Sequence, residues 1–296
     1  AQGVAYMCRH FGVRGVIFMP VTTPQQKIQK TRMFGGDHVE IRLIGDYFFS
    51  LMGRSTAFCR DTGGHFLSPF DDDDVIEGQA SVAAEIEAQL GRAPDHIVIP
   101  VGGGGLAAGI LSYFGTDTQY TFVEPAGGAC LRAALQAGRP VALPKVDTFA
   151  DGAAVAKIGE RSFARLKGVG LANSLTIAED RGRTVVCVTS GGNFDFERLP
   201  EVKERAQRYS GIKKYFILRL PQRPGALKDF LNLLGPEDDI ARFEYLKKSA
   251  RNFGSVLIGI ETNAPESFDR LFGQLDANGF NYKDITDDEI LAQFLI

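Results

Sequence analysis

Residues 96–109 read HIVIPVGGGGLAAG, and this stretch decides the fold of the first part of the chain. Residues 97–101 are nearly all apolar and mostly β-branched, which predicts a short buried strand. Four glycines follow at once, and residues 106–114 predict a helix. A strand, a glycine turn and a helix N-terminus together form an anion site, because backbone N–H groups can approach the anion and the helix dipole attracts it.

The glycine turn matches neither of two common phosphate motifs. No Gly-Lys-Ser/Thr closes it, as in a P-loop, and Gly102, Gly104 and Gly109 only partly reproduce the dinucleotide fingerprint. A tight turn without a ligand is the alternative. Since each glycine costs backbone entropy, four in a row favour a phosphate-bearing ligand over that alternative.

The composition is that of a globular protein with room for two domains. The chain has 296 residues, of which 44% are hydrophobic and 23% are charged. Its net charge of −3 argues against nucleic acid and anionic membranes as partners. The four cysteines are widely spaced and form no Cys-x-x-Cys, which indicates a reducing compartment and predicts a cytoplasmic protein. No membrane span or signal peptide is visible.

Strands and helices alternate through the first part of the chain. Predicted strands cover residues 16–19, 39–44, 65–70, 97–101, 120–123 and 185–188. Predicted helices cover residues 1–11, 24–34, 77–90, 106–114 and 129–137. The second of these helices has Thr23 as its expected N-cap and Pro24 at its first position, whereas Gly53, Ser55 and Thr56 argue against a helix over 45–63. The alternation predicts a parallel sheet covered by helices on both faces.

Ligands of such sheets bind beyond the carboxyl ends of the strands. The glycine turn, Glu124 and the turn at 190–193 all fall at predicted strand ends. The four aspartates at 71–74 are interpreted as a solvated loop or a helix start. A second cluster of ligands is missing, so no metal site is predicted.

The pattern changes near residues 209–211. From residue 213 the predicted order is β-α-β-β-α-β, which is the ferredoxin-like arrangement. Its predicted strands cover residues 215–220, 240–247, 255–261 and 282–285, and its helices cover 224–234 and 265–278. We therefore predict one domain over residues 1–211 and a second over 212–296.

Several segments, in this order along the chain, resemble threonine dehydratase (threonine ammonia-lyase), a family of pyridoxal-phosphate enzymes of the tryptophan-synthase-β type. They are AQGVA at 1–5, MPVTTP at 19–24, PFDD at 69–72, VIEGQ at 75–79, the glycine turn, VEP at 123–125, FADG at 149–152 and SGGN at 190–193. Residues 213–296, with PQRPGAL at 221–227, resemble the regulatory domain of the biosynthetic type. The resemblance implies an incomplete α/β domain of PLP fold type II followed by an α+β ferredoxin-like (ACT-like) regulatory domain.

The resemblance also assigns the cofactor site, with pyridoxal 5'-phosphate as the cofactor. It implies that the cofactor phosphate is bound by a run of backbone N–H groups, those of Gly102, Gly103, Gly104, Gly105 and Leu106. Ser190 then hydrogen-bonds the pyridine nitrogen, although alone it would be interpreted as a turn residue. A neutral hydroxyl there leaves the ring less electron-withdrawing than a carboxylate would, which suits β-elimination. Glu124 has a supporting role only.

Two departures from the family stand out. The Schiff-base lysine of the family lies in a Ser-Phe-Lys motif upstream of the matched part, so no catalytic residue is assigned here. Lys27 and Lys30 match surface lysines of the family. The family also has a strand and a helix between the positions of Gly170 and Leu171, which are adjacent in this sequence. We therefore expect the chain as printed to be inactive.

The resemblance implies a lyase that converts L-threonine to 2-oxobutanoate and ammonia, the first step of isoleucine biosynthesis. It further implies a homo-oligomer, either a dimer or a tetramer, with isoleucine or valine as effectors. The loop at 223–225 is the expected effector site, because a helix start exposes backbone donors there. One alternative is a related serine/threonine dehydratase or threonine synthase, against which the regulatory domain argues. The other is a catalytically inactive amino-acid-binding fragment, which the missing lysine favours.

Overall fold

The computed structural model describes residues 1–45, 48–169, 182–191, 196–246, 253–288 and 291. Contacts between residues divide the chain into two compact units, Ala1–Gly191 and Gly192–Ile296. Each unit has a hydrophobic core of its own. The functional boundary between residues 211 and 212 stays a prediction.

Unit 1, Ala1–Gly191, is built from parallel strands and helices. Its strands are β1 Gly15–Met19, β2 Val39–Leu43, β3 His96–Pro100, β4 Gln119–Val123 and β5 Val185–Cys187. Its helices are α1 Gln2–Phe11, α2 Gln25–Gly35, α3 Phe48–Thr62, α4 Asp73–Gln79, α5 Ser81–Leu90, α6 Gly105–Phe114, α7 Cys130–Ala137 and α8 Glu160–Leu166. In the described part of the unit, β1 pairs with β2, and a separate three-stranded sheet has the order β4-β3-β5. All of these pairings are parallel, as the sequence predicts.

Strand β3 lies in the middle of the three-stranded sheet because its side chains suit burial on both faces. Ile97 and Ile99 are fully buried, and they share one core with residues of α6. Helix α6 also packs closely against α4. A Cβ at Gly109 would lie 2.5 Å from the carbonyl oxygen of Ile76, so only glycine allows this approach.

The expectation that residues 45–63 contain no helix is wrong, since α3 covers most of them. Three hydroxyl groups in α3, those of Ser55, Thr56 and Thr62, donate to carbonyls one turn back. Ser55 Oγ donates to Leu51 O at 2.8 Å, and Thr56 Oγ1 donates to Met52 O at 2.7 Å. Such bonds satisfy the hydroxyls inside a helix, so these residues did not have to interrupt it.

The predicted strand at 65–70 is also absent from the described structure, where this segment has no regular secondary structure. The Ser68 hydroxyl accepts the N–H of Asp71 at 3.1 Å, and this local turn competes with an extended conformation. The predicted helix at 77–90 is two helices, α4 and α5, which meet at Ala80.

The expected start of α2 is one residue too early. Pro24, with ψ at 136°, occupies the N-cap position, and its carbonyl accepts the N–H of Ile28. Thr23 lies in the preceding turn, where its N–H donates to Pro20 O. No side chain caps this helix.

Unit 2, Gly192–Ile296, contains the predicted ferredoxin-like arrangement. Its elements are α9 Leu199–Tyr209, β6 Lys213–Pro221, α10 Ala226–Leu231, β7 Asp239–Leu246, β8 Phe253–Glu261, α11 Glu266–Ala277 and β9 Asn281–Asp284. The four strands form an antiparallel sheet of order β7-β8-β6-β9. Phe216 and Phe230 are fully buried on one face of this sheet, together with side chains of α11.

Helix α9, which the sequence analysis did not predict, is joined to this sheet by buried charges. Lys213 Nζ lies 2.5 Å from Glu204 Oε2 of α9 and 3.5 Å from Glu261 Oε2 of β8. The Lys213 side chain is only 9% exposed, so its charge depends on these two carboxylates in place of water. The polypeptide just before residue 212 is therefore part of the second unit in structure.

The aromatic core of unit 2 predicts a large stability difference between two variants. Phe216→Ala should lower the free energy of unfolding of this unit by about 3–5 kcal/mol, because it leaves a cavity in the core. Tyr209→Ala removes a side chain that is 95% exposed, so it should change the free energy of unfolding by about 0.5 kcal/mol or less. Hydrogen exchange of β8 peptides across a urea series measures both. Equal shifts for the two variants would contradict the packing described here.

Candidate functional site

The candidate site begins where β3 ends. Gly102, Gly103, Gly104 and Gly105, the glycine tetrad, connect β3 to α6, as the sequence predicts. Gly104 is the N-cap of α6, has a φ of 93°, and provides no side chain to cap the helix. The first N–H groups of a helix have no partner within it. The start of α6 therefore offers backbone donors to a ligand.

Three successive carbonyls of the tetrad are held by the protein. The Cys130 thiol donates to Gly102 O, with a distance of 3.2 Å from the sulfur. The N–H of Gly159 donates to Gly103 O at 3.1 Å, and the N–H of Ala108 donates to Gly104 O at 2.8 Å. Each bond fixes the orientation of one peptide plane.

These bonds also determine where the N–H groups point. In a planar trans peptide, the C=O and the N–H point in opposite directions. The N–H groups of Gly103, Gly104 and Gly105 therefore point away from the protein groups that hold the preceding carbonyls. No described residue accepts a hydrogen bond from any of the three. Three free donors at a helix N-terminus fit the oxygens of a phosphate group.

Two tetrad positions have steric reasons to be glycine. A Cβ at Gly103 would lie 2.3 Å from Cγ of Phe70, whose ring covers this residue. At Gly104 a Cβ would lie 2.8 Å from Cβ of Ser162, and the positive φ is itself unfavourable for other residues. Sequence reasoning identified the tetrad but missed Ser162, which is fully buried against it.

The structure places Ser190 at the same edge of the sheet. Strand β5 runs parallel to β3 with Cys187 beside Val98, and the N–H of Val188 extends the pairing to Val98 O. The tetrad begins four residues after Val98, just past the end of β3, and Ser190 lies three residues after Cys187, just past the end of β5. Ser190 is exposed, so its hydroxyl is accessible to a ligand.

Glu124 follows β4 at the same edge and caps α7. Its two carboxylate oxygens accept the N–H groups of Leu131 at 2.7 Å and Arg132 at 2.9 Å. Burial raises the pKa of Glu124, although these hydrogen bonds oppose the rise. Burial, with the Glu124 charge nearby, raises the pKa of the Cys130 thiol to about 12, so Cys130 remains a protonated donor toward Gly102. Glu124 thus fixes the start of α7, where Cys130 holds the Gly102 carbonyl, and its supporting role at the site stays a prediction.

The acidic run at 71–74 starts a helix, as interpreted from the sequence. The Asp72 carboxylate accepts the N–H groups of Asp74 and Val75 and so caps α4. Asp73 forms ion pairs with Arg161 and Arg165 of α8. Within the described ranges, no group of three or more His, Cys, Asp or Glu side chains could hold a metal ion.

The two lysines that match surface lysines of the family, Lys27 and Lys30, both lie on α2. Lys27 is exposed on α2, and Lys30 on the same helix is partly exposed. Two other features of the sequence fall outside the described residues, namely Gly192 and Asn193 of the SGGN motif and the junction of Gly170 with Leu171. In the part of the chain that the structure covers, no helix is long and apolar enough to cross a membrane.

Comparisons with known proteins agree with this architecture. Residues 1–181 match the family model described as pyridoxal-phosphate dependent enzyme. Residues 204–295 match the model for the C-terminal regulatory domain of threonine dehydratase. The match over more than half of the chain, together with the fold, defines the class: the chain belongs to the pyridoxal-phosphate-dependent enzymes.

Curated relatives narrow the class to one family. The L-threonine dehydratase biosynthetic IlvA of Bacillus subtilis is 39% identical over 334 positions, which cover 100% of this chain and 79% of the relative. The protein of the same name from Lactococcus lactis is 38% identical over 337 positions, with 100% and 81% covered. Plainly, the chain belongs to the biosynthetic threonine dehydratase family. Because both alignments are longer than the 296 residues of the chain, both relatives contain segments that this sequence lacks.

A solved structure is similar in fold as well. The processed form of threonine deaminase isoform 2 from Solanum lycopersicum has a TM-score of 0.60 and 33% sequence identity. The match covers 69% of this chain and 70% of that one.

The tetrad geometry predicts that an added methyl group weakens phosphate binding. Gly103→Ala should reduce the affinity for pyridoxal phosphate by about tenfold or more, because the new Cβ must displace Phe70 or shift the loop. Gly78→Ala in α4 is the control, since nothing lies within 4 Å of the added Cβ. Fluorescence titration with pyridoxal phosphate measures the affinities, and thermal unfolding checks that both variants are folded. Equal affinity in the two variants would remove the phosphate site from the tetrad.

Proposed function

We propose that this protein acts as a biosynthetic threonine dehydratase, converting L-threonine to 2-oxobutanoate and ammonia with pyridoxal phosphate as cofactor. This reaction is the first step of isoleucine biosynthesis. One observation carries the proposal, namely the three N–H groups of the glycine tetrad at the start of α6 that no described residue accepts. Membership of the family and the second, regulatory-type unit support the same assignment.

The residues of the chain have separate tasks in the proposed site. The N–H groups of Gly103, Gly104 and Gly105, with those of Gly102 and Leu106 beside them, bind the phosphate, and the dipole of α6 adds to the attraction. The Ser190 hydroxyl donates a hydrogen bond to the pyridine nitrogen and leaves it uncharged. When bound, the cofactor withdraws electrons from Cα of the substrate, so that the α-proton can leave and the β-hydroxyl can be eliminated.

We propose further that a polypeptide of only these 296 residues binds the cofactor without catalysing the reaction. Elimination needs a base next to Cα, and in the family this base is the lysine of the Ser-Phe-Lys motif. No lysine of this sequence lies in that motif. Of the described candidates, Lys157 pairs with Glu160 at 2.8 Å, and Lys27 projects from the surface of α2.

An activity comparison tests this proposal and the amino-acid-binding alternative together. The 296-residue polypeptide, with pyridoxal phosphate added, should form no 2-oxobutanoate from threonine above the buffer rate. A longer chain that carries the family's Ser-Phe-Lys segment, and the family residues between 170 and 171, should be active. The same longer chain with that lysine changed to Ala is the control. Inactivity of the longer chain would favour a binding protein, and similar turnover by both chains would refute the role of the lysine.

We also propose that unit 2 binds a branched-chain amino acid, isoleucine or valine, as an effector. The match to the regulatory domain of threonine dehydratase supports this role. At the expected site, Gly225 has a φ of 83° and is the N-cap of α10, and Arg223 pairs with Asp229 at 2.6 Å. Arg223 is exposed just before α10, so in this proposal its guanidinium attracts the carboxylate of the amino acid.

The protein is further proposed to be a cytoplasmic homo-oligomer, either a dimer or a tetramer. Its four cysteines are all described and all free, as a reducing compartment would keep them. Two identical regulatory units in one oligomer would allow binding at one to affect the other.

Calorimetry of the full chain tests the effector. Isoleucine or valine should bind with a measurable heat at millimolar concentration, and Arg223→Ala should weaken this binding by about tenfold, because a charged partner of the carboxylate is lost. Lys228→Ala, in the adjoining helix α10, is a control with the same change in charge. Absence of heat from the folded wild-type chain would remove the effector assignment, while equal binding by both variants would remove only its location.

A further inference from the structure

The start of α8 lies against the glycine tetrad and is capped in an unusual way. Gly159 is the N-cap residue of α8, and it has no side chain that could accept the first N–H groups of the helix. The carboxylate of Asp71 caps the helix instead. Asp71 Oδ2 accepts the N–H of Glu160 at 3.1 Å, and Oδ1 accepts the N–H of Arg161 at 2.8 Å.

The carboxylate of Asp71 occupies the space that a side chain at Gly159 would need. A Cβ at Gly159 would lie 2.6 Å from Asp71 Oδ1. Gly159 is thus held between Asp71 on one side and the tetrad on the other, where its N–H donates to Gly103 O at 3.1 Å. A short path of contacts therefore leads from Asp71 through Gly159 to the peptide plane between Gly103 and Gly104.

The residue before Asp71 contacts the tetrad directly. Phe70 covers Gly103 with its ring, and its carbonyl accepts the Ser162 hydroxyl at 3.5 Å. Ser162 is fully buried and packs against Gly104. Asp71 consequently joins the two segments, residues 70–71 and the first turn of α8, that enclose the tetrad from two sides.

We propose that Asp71 is a positioning residue for the phosphate site. Its carboxylate holds the first turn of α8 so that Gly159 fixes the carbonyl of Gly103, and the N–H of Gly104 is thereby directed to the phosphate. This inference rests on the proposed cofactor site, and it adds a residue that neither touches the cofactor nor belongs to the glycine motif.

The neighbouring Asp73 provides a matched control. It comes from the same acidic run and also contacts α8, through ion pairs with Arg161 and Arg165. Its side chain is 54% exposed, so these pairs contribute little to the structure, and it accepts no described N–H group of the α8 backbone. Loss of Asp73 removes a negative charge at almost the same place without removing the cap.

The experiment compares Asp71→Ala, Asp71→Asn and Asp73→Asn with the wild-type chain. The first readout is the ratio of the affinities for pyridoxal phosphate and for pyridoxal, because only the former uses the phosphate donors. Asp71→Ala should lower this ratio by about tenfold. The affinity ratio of Asp71→Asn should lie between those of Asp71→Ala and wild type, since the amide oxygen can accept one of the two N–H groups. Asp73→Asn should stay within about twofold of wild type.

Hydrogen exchange of the peptides that contain residues 102–106, measured without ligand, is the second readout. Faster exchange in Asp71→Ala but not in Asp73→Asn supports the inference. A wild-type chain that binds pyridoxal as tightly as pyridoxal phosphate would refute the proposed cofactor site. It would not refute the role of Asp71 in holding the tetrad, which the exchange result tests separately. An unchanged ratio together with unchanged exchange in a folded Asp71 variant overturns the inference. A lower melting temperature with an unchanged ratio also overturns it, because Asp71 would then serve stability alone. If Asp71→Ala does not fold, Asp71→Asn decides in the same way.

Discussion

The hydrogen bonds to three consecutive carbonyls of the glycine tetrad are the constraint on which the candidate site depends. Glycine is the most flexible residue, and four of them in a row would by themselves sample many conformations. Cys130, Gly159 and Ala108 each hold one carbonyl, and the planarity of the peptide then fixes the opposite N–H. A flexible segment becomes a set of oriented donors because its other side is bound to the protein. The free energy that orders the loop thus comes from folding, and the ligand does not have to supply it.

The groups that hold the tetrad come from three different places in the chain. Cys130 begins α7, which Glu124 caps, and Gly159 precedes α8, which Asp71 caps. Two of the three hydrogen bonds to the tetrad therefore come from the starts of helices that a carboxylate caps. A buried carboxylate is costly unless its oxygens accept hydrogen bonds, and at Glu124 the backbone of a helix provides them. Burial and capping, both structural features, are in this way connected to the conformation of the glycine tetrad.

Local patterns in the sequence predicted many of the elements. The strand, glycine turn and helix around residues 96–114 and the β-α-β-β-α-β order of unit 2 are as expected, because alternation and helical periodicity reflect which side of an element is buried. The sequence predicts two segments wrongly, for different reasons. Phe70 is predicted in a strand, but its ring has a tertiary use and covers Gly103. Ser55 is predicted to interrupt a helix, but its hydroxyl bonds locally to the Leu51 carbonyl within α3. Helix α9 has a sequence rich in charged residues and poor in apolar ones, and the sequence analysis does not predict it.

The sequence by itself determined the family, the position of the tetrad and the type of each domain, because each of these depends on residues that are close together in the chain or on motifs in a fixed order. It could not reveal the partners that orient the tetrad. Asp71 and Arg161 are 90 residues apart, and Cys130 is 28 residues from Gly102. No periodicity connects such pairs, and an aspartate that caps a distant helix looks the same in sequence as one that faces water. Only the tertiary structure decided these contacts, since they form when the whole sheet brings the ends of its strands and helices to one edge.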